Sequence, residues 1–290
     1  MRIGTRGSVL ALVQARWVAE RLGPGVEVVA ITTQGDRAAA VNDKSRWVSE
    51  LERALLDGRI DIAVHSAKDV PTELPDGLEL VAIPERAEAR DVICGASSLD
   101  ALPAGSRVGT SSLRRAAQVR AVRPDLAVLE LRGNVDTRLR KLAAGEVDAA
   151  VLAAAGLERL GRADEAGGVI QEFVPAAGQG ALALEARAGA IAPERLAAVS
   201  DPEATACVTA ERVLVRALGA SCNTPVGAHA RAVGDGRWTL EAWVGLPDGS
   251  AWLRDEVTGE PDEVGRACAE RMLAAGAAEL LRQAEAEVAA

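Results

Sequence analysis

Apolar positions along this chain switch repeatedly between the every-second spacing of strands and the three-and-four spacing of helices. In the first third, the pattern predicts a strand at 2–5, a helix at about 9–22 opened by Ser8 as N-cap, a strand near 26–33, a helix near 47–57 and a strand at 60–65. A second alternation follows, with strands near 107–109, 126–131 and 147–152 and helices near 112–121 and 135–144. Alternating β and α elements imply mainly parallel sheets, with ligands at the carboxyl ends of the strands. Pro175-Ala176-Ala177-Gly178-Gln179-Gly180 reads as a hinge, after which Ala181 to Arg187 returns to the first lobe. A helix at about 203–218 opens a third region, in which Trp238 to Val244 alternates as a strand should and a closing helix covers about 262–286. That region reads as α+β. The implied domains are 1–86 with 181–199, then 87–176, then 202–290.

Two stretches echo each other. Arg2-Ile3-Gly4-Thr5 returns as Arg107-Val108-Gly109-Thr110, and Gly58-Arg59-Ile60-Asp61-Ile62-Ala63-Val64 returns as Gly145-Glu146-Val147-Asp148-Ala149-Ala150-Val151. In the second pair a Gly ends a helical pattern and an apolar strand follows. The first pair is 105 residues apart and the second 87, so the first copy holds 18 more residues between its anchors. The excess falls between Gln34 and Arg46, in sequence of loop character, and long loops in such domains tend to be lids or binding loops.

Composition narrows the function. The 290 residues suit two or three domains, and 49% hydrophobic with 26% charged residues describe a globular chain. A net charge of -9 disfavours general attraction to nucleic acid or an anionic membrane. No apolar stretch approaches a membrane span, and the N-terminus lacks the apolar core of a signal peptide. Four widely spaced Cys do not form a disulfide framework, and two His without a Cys-x-x-Cys argue against zinc. These features predict a cytoplasmic protein in a reducing compartment.

One stretch reverses the overall charge. From Gly105 to Lys141 there are nine basic residues against Asp125, Glu130 and Asp136, and eight of the nine are Arg. Arg grips carboxylate or phosphate with a planar fork. Arg114 and Arg115 follow Gly109-Thr110-Ser111-Ser112, where a strand end meets a helix start and backbone N–H groups already favour an anion. Leu131-Arg132-Gly133-Asn134-Val135-Asp136-Thr137-Arg138 repeats that design, and Thr5-Arg6-Gly7-Ser8 does so in the first lobe. Arg120, Arg123, Arg140 and Lys141 fit solvated helix faces instead.

Asp61 to Pro71 reads as a buried strand running into a polar turn, placing His65, Ser66, Lys68 and Asp69 at a cleft edge. Asp69 is either a turn cap or a catalytic carboxylate on these residues alone. Cys222 differs from Cys94, Cys207 and Cys268, which read as packing: it falls in a loop between a helix and a strand, suiting either a structural turn or a thiol that carries a covalent group. A two-lobed anion-binding protein and a phosphate-using transferase both remain open at this level.

Seven segments together resemble the porphobilinogen deaminase family, in that family's order and over nearly the whole chain. They are Gly4-Thr5-Arg6-x-Ser8, Val64-His65-Ser66-x-Lys68-Asp69-Val70-Pro71, Val108 to Arg115, Leu131 to Leu139, Ala155-Gly156-Leu157-x-Arg159-Leu160, Pro175-Ala176-x-Gly178-Gln179-Gly180 and Cys222-x-x-Pro225-Val226-Gly227. The resemblance implies an α/β fold of two similar periplasmic-binding-protein-like (type II) lobes plus a smaller α+β C-terminal domain. It implies a dipyrromethane cofactor on a thioether to Cys222, and the head-to-tail joining of four porphobilinogen molecules with release of ammonia to give a linear tetrapyrrole. Positive charge develops on pyrrole nitrogens in that reaction, and a fixed carboxylate stabilises it. Asp69 matches that carboxylate. Ser66, Lys68, Ser111, Arg114, Arg115, Arg132 and Arg138 match cofactor-binding positions, and Arg6, Ser8 and Arg159 match substrate-binding positions. Lys44 and Trp47 match the lid, in a loop that otherwise departs from the family pattern. The implied partner is the small molecule porphobilinogen, with no nucleic acid or membrane, and the implied state is a monomer.

Overall fold

The computed structural model describes residues 1–31, 45–220 and 224–289, leaving the side chains of 45–47 and 289 outside that description. In chain order the elements begin with β1 (Arg2–Arg6), α1 (Val9–Leu22), β2 (Glu27–Ile31), α2 (Ser45–Leu56), β3 (Ile62–Ser66) and β4 (Leu78–Ala82). Next come β5 (Asp91–Cys94), β6 (Arg107–Thr110), α3 (Leu113–Val122), β7 (Ala127–Glu130), α4 (Val135–Ala143), β8 (Ala149–Ala153), α5 (Ala154–Arg159) and β9 (Gly168–Val169). The chain ends with β10 (Leu182–Arg187), α6 (Pro202–Ala217), β11 (Val226–Gly234), β12 (Arg237–Gly245), β13 (Trp252–Gly259), α7 (Val264–Ala274) and α8 (Ala277–Ala289). These fall into two compact units, residues 1–87 with 180–208 and residues 88–179 with 209–290.

The first unit is built on a five-stranded sheet in the order β2-β1-β3-β10-β4. Ser8 caps α1 by accepting from Ala11 N at 3.3 Å, and α2 turns Val48, Leu51, Ala54 and Leu55 into the core on one face. Ile3, Ile62, Val64 and Leu184 pack with Ala15 and Val18 of α1, while Leu51, Leu55, Ile60 and Ala63 pack with one another in a second cluster.

The second unit repeats the plan as β7-β6-β8-β5-β9. The repeat extends to register: Ile3 faces Ile62 and Gly4 faces Ala63, as Val108 faces Ala149 and Gly109 faces Ala150. One clasp occurs twice. Arg2 N donates to Asp61 Oδ2 at 2.7 Å and Arg2 Nη2 to Gly58 O at 2.7 Å. Arg107 N donates to Asp148 Oδ2 at 2.7 Å and Arg107 Nη2 to Gly145 O at 3.0 Å. Both glycines have positive φ (68° and 74°), which explains why each copy keeps a Gly before the strand. The duplicated motifs are therefore a helix stop and a strand-to-strand fastening.

The alternation of elements predicts mainly parallel sheets, but each sheet is mixed. β10 runs antiparallel to β3 and β4, and β5 antiparallel to β8 and β9. These are the strands laid down where the chain enters one lobe or returns to the other, so each arrives from the opposite direction. The remaining part of the second unit is a three-stranded antiparallel sheet, β11-β12-β13, with α7 and α8. The closing helix expected at 262–286 is two helices. Gly276 adopts φ 102°; its N–H donates to Leu273 O at 3.0 Å to finish α7, and its carbonyl accepts from Leu280 N at 3.3 Å to start α8.

Candidate active site

In the first unit the chemistry-bearing residues collect at the carboxyl ends of β1 and β3, which are adjacent and parallel. Arg6 ends β1 and Ser8 caps the helix beyond it. Ser66 ends β3, and Lys68 and Asp69 occupy a single 3₁₀ turn, 67–69, that Val70 closes by donating to Ala67 O at 3.2 Å. Ser66, Lys68 and Asp69 are half-buried. Ser66 exchanges hydrogen bonds with Gln14, whose buried amide donates to Ser66 Oγ at 3.1 Å. Gln14 escapes a reading by motif because it sits at a helical core position.

His65 is not at a cleft edge. Its side chain is enclosed, with Nε2 3.0 Å from Glu185 Oε2 on β10. The outward half of the strand alternation belongs to Ser66, and His65 takes the inward half. Near this pair, burial and the charge of Glu185 raise the Glu52 pKa, against the opposing pull of His65.

In the second unit the corresponding strand ends hold the arginines. Ser112 caps α3 by accepting from Arg115 N at 3.4 Å, and Asn134 caps α4 by accepting from Thr137 N at 2.9 Å. These caps set Ser111, Arg114 and Arg115 at one strand end and Arg132 and Arg138 at the next. Arg138 Nη2 donates to Ser111 Oγ at 2.7 Å, joining two of the expected site residues. Arg132 is exposed and pairs with Glu130 at 2.6 Å. Arg159 ends α5, and burial lowers its pKa.

Arg114 and Arg115 are placed differently from an open anion grip. Each is 5% exposed, and both converge on Asp91, which is fully enclosed at the start of β5. Arg115 Nε donates to Asp91 Oδ1 at 2.9 Å, and its Nη1 donates to Val151 O at 3.1 Å. Arg114 Nη1 lies 2.8 Å from Asp91 Oδ2 as an ion-pair contact while donating to Val174 O at 2.8 Å. Gln179 Nε2 donates to Asp91 Oδ1 at 2.8 Å and to Ala89 O at 2.6 Å. Burial pushes the Asp91 carboxyl up, but the charges of Arg114 and Arg115 and the hydrogen bond from Gln179 outweigh it and hold the group well below the usual carboxylate range. Asp91 and Gln179 have no place in a list drawn from charge patterns, since a lone Asp before an apolar run reads as a strand-end cap.

Glu211 is fully enclosed on α6; its carboxylate accepts from Gly178 N at 2.6 Å and Ala230 N at 2.7 Å, fixing residue 178 of the hinge segment against β11. Cys222, Lys44 and the Trp47 side chain lie outside the described residues. The other cysteines are buried thiols, as their apolar settings predict, and burial pushes Cys94 up to about 11 and Cys268 to about 12.

Residues 1–220 match the family domain described as "Porphobilinogen deaminase, dipyromethane cofactor binding domain", and residues 205–274 match "Porphobilinogen deaminase, C-terminal domain". The chain belongs to the porphobilinogen deaminase family. Curated relatives agree over nearly full length. The porphobilinogen deaminase of Deinococcus deserti is 49% identical across 96% of this chain and 97% of its own, and that of Thermus thermophilus is 47% identical across 97% and 98%. Among solved structures, the methionine-binding protein MetQ aligns with a TM-score of 0.44 at 17% identity, covering 68% of this chain and 87% of its own. The periplasmic VFT2 domain of Bordetella pertussis BvgS aligns at 0.40 and 16%, covering 73% and 92%. The family makes this chain an enzyme, a hydroxymethylbilane synthase of tetrapyrrole biosynthesis that acts on porphobilinogen with a dipyrromethane cofactor. Its two α/β lobes and small α+β part have the layout that the resemblance implies. No described helix is long and apolar enough to cross a membrane.

The residues present fit a group edged with carboxylates. Arg114 Nε is buried and has no hydrogen-bond partner among the described residues, so a donor waits at a strand-end site for an acceptor.

Proposed function

We propose that Cys222 carries the dipyrromethane cofactor through a thioether and that Asp69 is the carboxylate stabilising positive charge during condensation. When bound, the cofactor supplies the free pyrrole carbon to which porphobilinogen units are joined. Arg114, Arg115, Arg132 and Arg138, with Ser66, Lys68 and Ser111, hold its acetate and propionate groups. Arg6, Ser8 and Arg159 receive the acid groups of incoming porphobilinogen, and Lys44 and Trp47 belong to the lid. A carboxylate on a short rigid turn opposes charge on a pyrrole nitrogen without reorganising as the charge develops. The guanidinium groups hold acids whose number rises with each added unit.

The observation that carries this reading is the clustering of the charged and hydroxyl side chains at strand ends within each lobe, with Ser111 and Arg138 already hydrogen-bonded at 2.7 Å. Three domains, 1–86 with 181–199, 87–176 and 202–290, divide the work, the last carrying the cysteine. The enzyme acts as a cytoplasmic monomer on small molecules, without nucleic acid or membrane; the net charge of -9 disfavours attraction to either of those last two. Intact mass tests the attachment. Protein from a tetrapyrrole-making host is expected to exceed its chain mass by one dipyrromethane unit, and Cys222→Ser to show the bare chain. A bare native chain, or a loaded Cys222→Ser, would sink the assignment.

A further inference from the structure

Two arginines that await an anionic ligand share one buried acid, and that is costly in charge. Asp91 cancels one of the two positive charges, leaving the cluster with one. A site built for attraction alone has no use for such an acid. A site built for geometry does, because a guanidinium on a long stem loses its conformational freedom when it grips a ligand, unless folding has already fixed it. The fixing is visible on every side. Asp91 holds both forks, Gln179 holds Asp91, and the carbonyls of Val151 and Val174 take the outer nitrogens.

We propose that Asp91 is the positioning residue for Arg114 and Arg115, orienting both guanidinium planes before the cofactor arrives. This rests on the reading that those arginines hold the cofactor's acid groups. Asp91 itself touches neither cofactor nor substrate. It acts through the arginines, and Arg114 Nε keeps no hydrogen-bond partner among the described residues.

Asp91→Asn separates this role from simple neutralisation, because the two give opposite signs. The substitution raises the net charge of the cluster from one to two. A neutraliser's loss increases the pull on an anion, with greater salt sensitivity. A positioner's loss weakens the grip although the charge has risen. Folded Asp91→Asn protein, checked by circular dichroism, is expected to carry the dipyrromethane mass increment in a fraction lower than native by roughly tenfold or more, at low and high salt alike. A smaller loss, or a gain, overturns the proposal. Should Asp91→Asn fail to fold, the Cys222→Ser protein decides through the arginine Nε–H resonances in ¹⁵N-correlated NMR. Two dispersed, slowly exchanging signals without cofactor support preorganisation; signals merged with those of exposed arginines overturn it. A native chain without the mass increment would count against the cofactor reading and leave the NMR outcome for Asp91 standing.

Discussion

His65 on β3 and Glu185 on β10 meet across antiparallel strands, with Nε2 3.0 Å from Oε2 and both side chains enclosed. The pair ties the returning strand to the strand that ends in Ser66. Replacing Glu185 by Leu removes the acceptor and leaves a buried ring nitrogen unsatisfied, a loss of about 1–3 kcal/mol. Thermal unfolding is expected to fall accordingly, together with the loaded fraction read by intact mass. An unchanged midpoint would show that the contact contributes nothing.

Asp69→Asn preserves shape on the 3₁₀ turn and removes the negative charge. The variant is expected to load cofactor normally and to lose most turnover, by roughly 100-fold or more, on the scale of removing one electrostatic stabiliser. Intact mass and the rate of porphobilinogen consumption check the two halves. Full turnover would exclude Asp69 as the charge stabiliser.

Arg132 is exposed, and it pairs with Glu130 at the surface. Arg132→Ala is therefore expected to change stability by no more than about 0.5 kcal/mol. It should nonetheless stall elongation, leaving enzyme-bound intermediates visible as extra bands on native gels. Normal product release would remove Arg132 from the cofactor-holding set.

Glu52 has a raised pKa, from burial and then the charge of Glu185, with His65 opposing. A carboxyl raised on folding binds its proton more tightly in the folded state, so stability falls as pH rises from the unfolded pKa through the folded one. Glu52→Gln is expected to raise the unfolding midpoint at neutral pH, the gain vanishing in acid where both states are protonated. A gain that persists in acid, or a loss at neutral pH, contradicts the linkage.

Much of this was legible in the residues. The echo between Arg2–Thr5 and Arg107–Thr110 announces the doubled lobe, because a clasp needs its Arg, Gly and Asp at fixed places in both copies. Ser8 announces a helix start through its capping chemistry. Strand direction was not legible: 91–94 and 182–187 are short apolar runs, and nothing in such a run says which way it lies. Nor was the break at Gly276, since the flanking Ala, Leu and Glu continue the helical period. The arginine pair stood out by charge, but its partner did not, because burial reverses what a lone Asp usually means. His65 lies one step of strand alternation from the edge that the sequence predicts for it. Cys222 and Lys44 stand in the motifs and lie outside the described residues.

The paired clasps join the amino ends of β1 and β3 in one lobe and of β6 and β8 in the other, and the reactive side chains gather at the opposite ends. The same fastening thus closes the amino margin of each lobe. Wear on the seam, through Asp61 or Asp148, would loosen the cloth without touching the reactive side chains, so durability and chemistry can change independently.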